Sequence, residues 1–291
     1  MILGRTLDQI KTSLTEFSSA ICEPAVDYCA VKMPKWSFGK FKSGADKLGT
    51  AMKATGEAMA LGVNFESALM KAIRSVDSAM LLPTANKFRQ MTDKELIEAI
   101  KASDDERIFA VLEALARGIS MDAIHEITMI DEWFLVKMKN ITAAVKQLAD
   151  DPTIENVEAA YQLGYTPSAV RSVTHQDVGE HMAAFKPADA CAAEFETDAH
   201  YYYSTSDAEN EAPEDRDCVL VIGAGAVTVG SGAEFDCCAV DCVNSLKRLG
   251  LRTAVVNNNS GAVSTAQQRY AFCLPGDRGR RARYHLGGEA L

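Results

Sequence analysis

Four glycines between positions 223 and 232 form the stretch of this 291-residue sequence that is best suited to binding a ligand. They are Gly223, Gly225, Gly230 and Gly232. The stretch follows the apolar run 218–222 and precedes residues 234–249, which are predicted to be helical. A glycine loop before a helix can hold an anion, because free backbone N–H groups and the helix dipole both present positive charge there. The dinucleotide-binding fingerprint would need a third glycine where Thr228 stands, so the loop alone is a weak indication of phosphate binding.

Other residues with reactive side chains form no recognisable catalytic group in the sequence. The five histidines are His125, His175, His181, His200 and His285, and none is paired with a serine or cysteine nucleophile. Cys238 and Cys242 are one helical turn apart and could share a metal, but no histidine or carboxylate stands at ligand spacing nearby. The eight cysteines include no C-x-x-C pair, so they are interpreted as reduced, small apolar groups.

The glycine loop is positioned by a predicted βαβ unit. The first strand covers 218–222, the helix 234–249 ends at Gly250, and a second strand over 253–256 runs into three asparagines. Strands joined through one crossover helix are parallel, so we expect a small Rossmann-like unit.

The first 80 residues are predicted to be an α/β piece. Residues 25–33 are rich in β-formers and are closed by Pro34, and residues 57–61 form a second short strand closed by Gly62. An apolar face at helical spacing then starts at Phe65.

About a hundred residues beyond a linker at 81–90 are predicted to form short antiparallel helices. Thr92 with Glu95, and Ser103 with Glu106, have the spacing of capping boxes. The pairs Asp151-Pro152 and Thr166-Pro167 place a cap and a first-turn proline before two further helices, and Ser120 starts another after Gly118.

One long helix in this region has apolar residues spaced by four and three positions from Phe134 to Leu148. Trp133, Phe134 and Met138 are interpreted as core rather than as a binding surface. Residues 200–203, His-Tyr-Tyr-Tyr, are interpreted as a connector with half-buried tyrosines, and the acidic residues 210–217 as a domain linker.

The charge balance argues against nucleic acid as a partner. Forty acidic and thirty basic residues give a net charge of −10, whereas phosphate binding needs clustered lysine and arginine. No run approaches the roughly 20 apolar residues that span a bilayer. Residues 1–9 lack the apolar segment of a signal peptide, so we expect a cytoplasmic protein that does not enter a membrane.

Six stretches resemble the carbamoyl phosphate synthetase large chain in that family's own order. Residues 223–236 read GAGAVTVGSGAEFD, and residues 256–265 read VNNNSGAVST, which are similar to the start of the family's second synthetase half. Upstream, 23–34 read EPAVDYCAVKMP and 52–62 read MKATGEAMALG. IDEWFL at 130–135 and CAAEF at 191–195 are similar to the segment between the two halves. The resemblance covers about residues 5–272.

This resemblance implies a mixed α/β and all-α fold in three parts. It makes 1–80 the end of the first ATP-grasp domain, 87–205 a helical oligomerisation domain and 216–272 a pre-ATP-grasp Rossmann-like unit, with 273–291 an unassigned tail. It also implies that the chain is a central segment whose ATP and magnesium sites, in the two ATP-grasp cores, are not part of it. This segment would then hold no cofactor and be inactive alone.

The implied roles of the segment are self-association and passage of the carbamate intermediate. Glu57 and Glu234 match glutamates that line the family's internal tunnel, whereas Gly261 stands where a third would be. Without the resemblance, Glu57 would be interpreted as a surface carboxylate and Glu234 as an acidic residue at a helix start. The partner implied for the parent protein is a glutaminase small chain or domain.

The sequence departs from the family pattern at five positions around the glycine loop. These are Ala226, Thr228, Ser260, Gly261 and Ala266. The departures leave open an alternative, a free-standing helical interaction protein derived from the synthetase. A small anion-binding or nucleotide-binding module built on residues 223–232 is a weaker third possibility.

Overall fold

The computed structural model describes residues 2–11, 19, 21, 25–36, 38, 48–76, 82, 87–178, 181, 183–189, 201–206, 209–212, 217–223, 234–257 and 270–273. Of residues 234–236 and 270–273 it describes the backbone only. These parts of the chain form a mixed fold of eight α-helices and two small sheets, in agreement with the predicted fold class at this level.

The N-terminal α/β piece is a two-stranded antiparallel sheet covered by a helix. Strands β1 (Cys29–Lys35) and β2 (Gly56–Gly62) pair along their whole length, and helix α1 (Phe65–Val76) lies against both. Both predicted strands and the helix are confirmed. Strand β1 passes through Pro34, which was expected to close it. Among the described residues β1 pairs with β2 alone, and proline is tolerated on such an edge strand.

Six helices follow α1 and make up the central part of the chain. They are α2 (Asp93–Ala102), α3 (Arg107–Arg117), α4 (Met121–Thr128), α5 (Glu132–Asp150), α6 (Ile154–Gln162) and α7 (Pro167–Thr174). The predicted run of short helices with one long member is therefore confirmed.

One of the two predicted capping boxes is confirmed. The backbone N–H of Glu95 donates to Thr92 Oγ1 at 3.3 Å, and the N–H of Thr92 donates to Glu95 Oε2 at 2.8 Å. The second box is wrong, because Ser103 ends α2 in the left-handed conformation with φ 54° instead of starting α3. The N–H of Glu106 donates to Asp104 Oδ1 at 3.1 Å.

The two predicted first-turn prolines have different outcomes. Helix α7 begins at Pro167 as expected, and its cap Thr166 accepts the N–H of Ala169 at 3.2 Å. Helix α6 begins at Ile154, so the predicted start at Asp151-Pro152 is wrong. Thr153 is its cap, since the Thr153 hydroxyl accepts a backbone N–H from the first turn at 3.4 Å.

A single hydrophobic core runs from the N-terminal sheet through all of α1–α7. Ala60 on β2, Leu69 on α1, Val111 on α3, Leu135 on α5 and Val170 on α7 belong to one cluster of buried side chains. The N-terminal α/β piece and the helices were predicted as separate domains, 1–80 and 87–205. In space they share their apolar interior, and the exact domain limits remain predictions.

The interpretation of the α5 aromatic residues as core is only partly correct. Met138 is buried with the predicted seam, but Trp133 is 52% exposed and Phe134 is 41% exposed. The two rings contact Phe65 of α1 at centroid distances of 5.5 and 5.3 Å. They form an aromatic surface at the start of α5 because the helix turns Leu135, not its neighbours, toward the interior.

The C-terminal part is a five-stranded sheet with one helix. Its strands, in spatial order, are β3 (Ala184–Pro187), β4 (Tyr201–Thr205), β7 (Tyr270–Cys273), β6 (Arg252–Asn257) and β5 (Cys218–Ile222). Strands β5 and β6 are parallel and are joined through α8 (Glu234–Arg248), which confirms the predicted βαβ unit.

Strand β4 corrects the interpretation of residues 200–203 as a connector. It pairs with β3 in antiparallel fashion and with β7 in parallel fashion, so residues assigned to the helical part lie within the sheet. Tyr203 is 1% exposed, not half buried. Tyrosine has a high β-propensity, and these tyrosines form a strand that pairs with β7, about seventy residues further along the chain.

Candidate functional site

The carboxyl ends of β5 and β6 meet where the glycine loop begins. The N–H of Gly223 donates to Val256 O at 2.7 Å, and a Cβ added to Gly223 would lie 2.9 Å from Cγ of Asn257. Only glycine allows this close approach, which places the start of the loop against the buried amide of Asn257. Residues 224–233 and 258–269, with most of the glycines and the five departures from the family pattern, lie outside the described residues.

Glu57 lies on β2 and is accessible at the protein surface. Its carboxylate forms an ion pair with Lys32 of β1 at 2.8 Å, and the side chain is 46% exposed. The pair joins two adjacent strands diagonally, because Glu57 itself is opposite Pro34. An exposed carboxylate could either face a solvent-filled passage or be a plain surface ion pair, so its role in carbamate passage remains a prediction.

Glu234 is the first residue of α8, as predicted, at the helix terminus that follows the glycine loop. Its side chain lies outside the described residues. Glu57 is in the two-stranded sheet and Glu234 is beside the five-stranded sheet, so the two predicted site residues belong to different parts of the fold. A shared function would require a path between these parts.

A buried lysine that the sequence reasoning did not single out connects the same two parts. Lys71 of α1 is 8% exposed, and its ammonium donates to Leu61 O of β2 at 2.7 Å and to Ser204 O of β4. It also lies 5.5 Å from the ring centroid of Tyr203. Tyr203 packs with Leu61 and with Tyr28, at a ring distance of 6.0 Å from the latter.

Tyr203, at the contact between β2 and β4, is shielded from solvent. Burial, together with the carboxylates of Asp27 and Glu211, raises the pKa of Tyr203 to about 12. The phenol therefore stays neutral at physiological pH. A lysine within an otherwise apolar helical run, ALMKAI at 68–73, was the available signal for a buried cation.

A buried carboxylate lies on the other side of α1. Glu66 is 3% exposed, and its Oε1 accepts from Asn140 Nδ2 at 2.9 Å and is 3.3 Å from Lys137 Nζ, both on α5. Its Oε2 is buried with no hydrogen-bond partner among the described residues. Burial first, and this carboxylate second, raise the pKa of the Cys29 thiol on β1. The cluster connects β1, α1 and α5, which makes it a structural connection within the core.

The described residues contain no group of three or more histidine, cysteine or acidic side chains that could hold a metal ion. Cys238 and Cys242, the pair considered for metal binding, are exposed free thiols on α8. None of the helices in the described part combines the length and the apolar composition that crossing a membrane requires.

In the described residues, seven helices with a two-stranded sheet are connected to a mixed five-stranded sheet that contains one parallel βαβ connection. Two family profiles match the chain: the carbamoyl-phosphate synthetase large chain oligomerisation domain over residues 57–186, and the carbamoyl phosphate synthase preATP-grasp domain over residues 215–272. The chain is 40% identical over 277 residues to the carbamoyl phosphate synthase large chain of Clostridium acetobutylicum, and 38% identical over 273 residues to that of Methanothrix thermoacetophila. The chain belongs to the carbamoyl phosphate synthase large chain family, where it corresponds to the central segment.

The matches cover 90% of this chain but only 26% and 25% of the two relatives, so the chain spans about a quarter of their length. The resemblance found in the sequence motifs is thereby confirmed. The oligomerisation match begins thirty residues before the predicted domain start at 87 and ends before 205, and it includes β2 and α1. This agrees with the shared core of the N-terminal piece and the helices.

Proposed function

We propose that this chain is the assembly segment of a carbamoyl phosphate synthase large chain. In this role it holds the two ATP-dependent halves in a fixed relation and mediates self-association. The parent reaction makes carbamoyl phosphate from bicarbonate, glutamine-derived ammonia and ATP in the cytoplasm, for arginine or pyrimidine biosynthesis. The segment itself binds no cofactor, while ATP and magnesium act in the parent's ATP-grasp domains and ammonia is delivered by a glutaminase partner.

The observation that carries the proposal is the continuous connection from β1 to the five-stranded sheet. One core joins β1, β2 and α1–α7, and Lys71 then bonds α1 to strands of both sheets. A packed connection of this kind fixes the relative position of the two parts and carries out no chemical step. The sites described above contain no set of nucleophile, base and orienting group.

The first experiment measures ATP-dependent carbamoyl phosphate formation by the purified chain, supplied with bicarbonate, ammonia and magnesium. We expect no product above a no-enzyme control. Formation of carbamoyl phosphate at a rate that scales with protein concentration would overturn the assignment as an assembly segment.

Self-association is proposed to use the exposed apolar residues at the corner between α4 and α5. Met129 is 75% exposed, Trp133 52% and Val136 43%. Exposed apolar side chains grouped in this way are typical of an interaction surface. Light scattering should give a mass above 31.5 kDa for the unsubstituted 291-residue chain and a lower mass for its Val136→Glu variant. Lys146→Glu, on the same helix but outside this corner, should keep the larger mass.

The proposed role of Glu57 is tested in a full-length large chain that carries this segment. If Glu57 faces the carbamate route, Glu57→Gln should lower carbamoyl phosphate formation more than bicarbonate-dependent ATP hydrolysis, because the intermediate is lost before the second phosphorylation. Lys32→Met is the control, since it removes the same ion pair and keeps the carboxylate. Equal effects of both variants would make Glu57 a surface ion-pair residue only. Glu234→Gln is tested by the same ratio.

A second candidate function is a free-standing interaction protein that keeps the oligomerisation fold. The same exposed corner of α4 and α5 supports it. Blotting source cells with an antibody to the helical domain separates the two. A band several-fold larger than 31.5 kDa supports the synthase segment. A band at 31.5 kDa, together with self-association of the purified chain, supports the interaction protein.

A further inference from the structure

Three exposed free thiols lie on helix α8. They are Cys237, Cys238 and Cys242. The helix packs on β5 and β6 through Ala239 and Val243, and the three thiols lie outside that buried strip. Free cysteine is among the residues that are most often buried, so a group of exposed thiols on one helix is unusual.

Two of the three thiols are neighbours on the helix surface. Cys238 and Cys242 are four residues apart in α8, and this spacing places their Cβ atoms about 5–6 Å from each other. Cys237 is one and five positions away from them, and residues at such spacings do not share a face of a helix. The helix therefore offers one pair of thiols that a single ligand can bridge.

The helical spacing favours a bridging ion over a disulfide. A disulfide requires Cβ atoms about 3.5–4.5 Å apart, which is shorter than the spacing within the helix and would distort it. An ion between the sulfurs spans a greater distance. With metal–sulfur bonds of about 2.3 Å, two thiolates on opposite sides of one ion are about 4.6 Å apart. This span fits two neighbouring side chains on an undistorted helix.

The number and the softness of the ligands select the ion. Thiolates favour Cu(I), zinc and iron–sulfur clusters over hard cations such as magnesium and calcium. Structural zinc and iron–sulfur clusters take four protein ligands, whereas the described part of the chain has no group of even three histidine, cysteine or acidic side chains suited to a metal. Cu(I) is satisfied by two thiolates in a nearly linear arrangement, and the pair supplies both.

The charge around the pair also suits a cation. Asp241 is exposed and stands three residues after Cys238, on the same face of the helix. The positions three and four residues away from either thiol of the pair carry no lysine or arginine. A carboxylate is a hard ligand, so Asp241 adds electrostatic attraction and does not coordinate the ion.

We propose that Cys238 and Cys242 together bind one Cu(I) ion. Both thiols release their protons to solvent, and each sulfur then donates an electron pair to the copper, whose oxidation state does not change. This inference goes beyond the proposed function, because the ion would take part in neither carbamoyl phosphate formation nor self-association.

The test titrates the complete 291-residue chain with Cu(I) under reducing, oxygen-free conditions, in competition with the coloured chelator bicinchoninate. Cys238→Ser and Cys242→Ser should each retain about one copper ion per chain fewer than the unsubstituted chain, because a single thiolate loses the ion to the chelator. Cys237→Ser is the matched control, since it removes an equally exposed thiol of the same helix. It should retain as much copper as the unsubstituted chain. Circular dichroism checks that all three variants are folded.

Four results would overturn the proposal. The first is full copper retention by either Cys238→Ser or Cys242→Ser, and the second is an equal loss in Cys237→Ser. The third is a loss of one copper per two chains, which would mean that the ion joins two copies instead of two thiols of one helix. The fourth is Zn²⁺ binding that depends on both cysteines and is as tight as that of Cu(I), because zinc requires further ligands.

Discussion

Replacing Lys71 by methionine tests whether one buried ammonium fixes the helical part to the five-stranded sheet. The side chain is 8% exposed and reaches the carbonyl oxygens of Leu61 on β2 and Ser204 on β4. Methionine has nearly the same length and fills the same space, so Lys71→Met removes the charge and its hydrogen bonds while leaving no large cavity.

The expected loss follows from the bonds that are removed. A hydrogen bond to a charged donor contributes about 1.5–3 kcal/mol, so two of them contribute about 3–6 kcal/mol. The cation–π contact with Tyr203 adds about 1 kcal/mol. Relief from burying an ammonium group offsets several kcal/mol of this sum. We therefore expect Lys71→Met to lower the free energy of unfolding by about 2 kcal/mol.

The measurement combines urea denaturation followed by circular dichroism with hydrogen exchange of the amides in β2 and β4. Lys71→Met should shift the midpoint downward and speed exchange in β2 and β4 more than in α3. Lys146→Met, an exposed lysine on α5, should change stability by less than about 0.5 kcal/mol. If the two variants unfold at the same urea concentration, or if β4 exchange is unchanged, Lys71 does not hold the two parts together.

Three further predictions follow from backbone geometry and burial. Gly164→Ala should lower the free energy of unfolding by about 3 kcal/mol or more, because φ is 90° and the new Cβ would lie 2.9 Å from the Cα of a residue on α1. Gly118→Ala, with φ 84° and open space around the new Cβ, should lower it by about 1 kcal/mol. Thermal unfolding measures both variants. The Cys29 thiol, whose pKa is raised by burial, should react with a thiol reagent about tenfold or more slowly than exposed Cys238 in a labelling time course. His181 has a lowered pKa in the fold and takes a proton more readily when unfolded, so stability should fall as the pH drops below about 6.5, and His181→Gln should flatten that fall in denaturation curves.

Much of the fold could be predicted because its signals are local. The capping box at Thr92 and the first-turn proline Pro167 mark helix starts through contacts within one turn, and both are confirmed. The box predicted at Ser103 failed although its spacing was correct. There the chain needs a left-handed residue between two helices, and that requirement of the turn outweighs the capping preference.

The sheet order and the candidate sites could not be predicted from local patterns. Tyr203 was interpreted as a connector residue because nothing nearby in sequence shows that β7 pairs with its strand. The stacked rings of Tyr161 and His181 likewise bring together residues that are twenty positions apart, which no local pattern indicates. Phe134 has the helical spacing of a core residue yet is 41% exposed, since a periodic pattern predicts an apolar face but not the element that covers it.

The insertion of β4 between β3 and β7 has a consequence for how the polypeptide is made. During synthesis, Tyr201–Thr205 leaves the ribosome about seventy residues before its parallel partner Tyr270–Cys273 exists. Until then β4 can pair only with β3, and its other edge exposes unpaired backbone groups. The helical part can complete its core in that interval, but the sheet cannot close until the last described strand has emerged. A nascent chain stalled before that point would offer β4 to any other extended segment nearby.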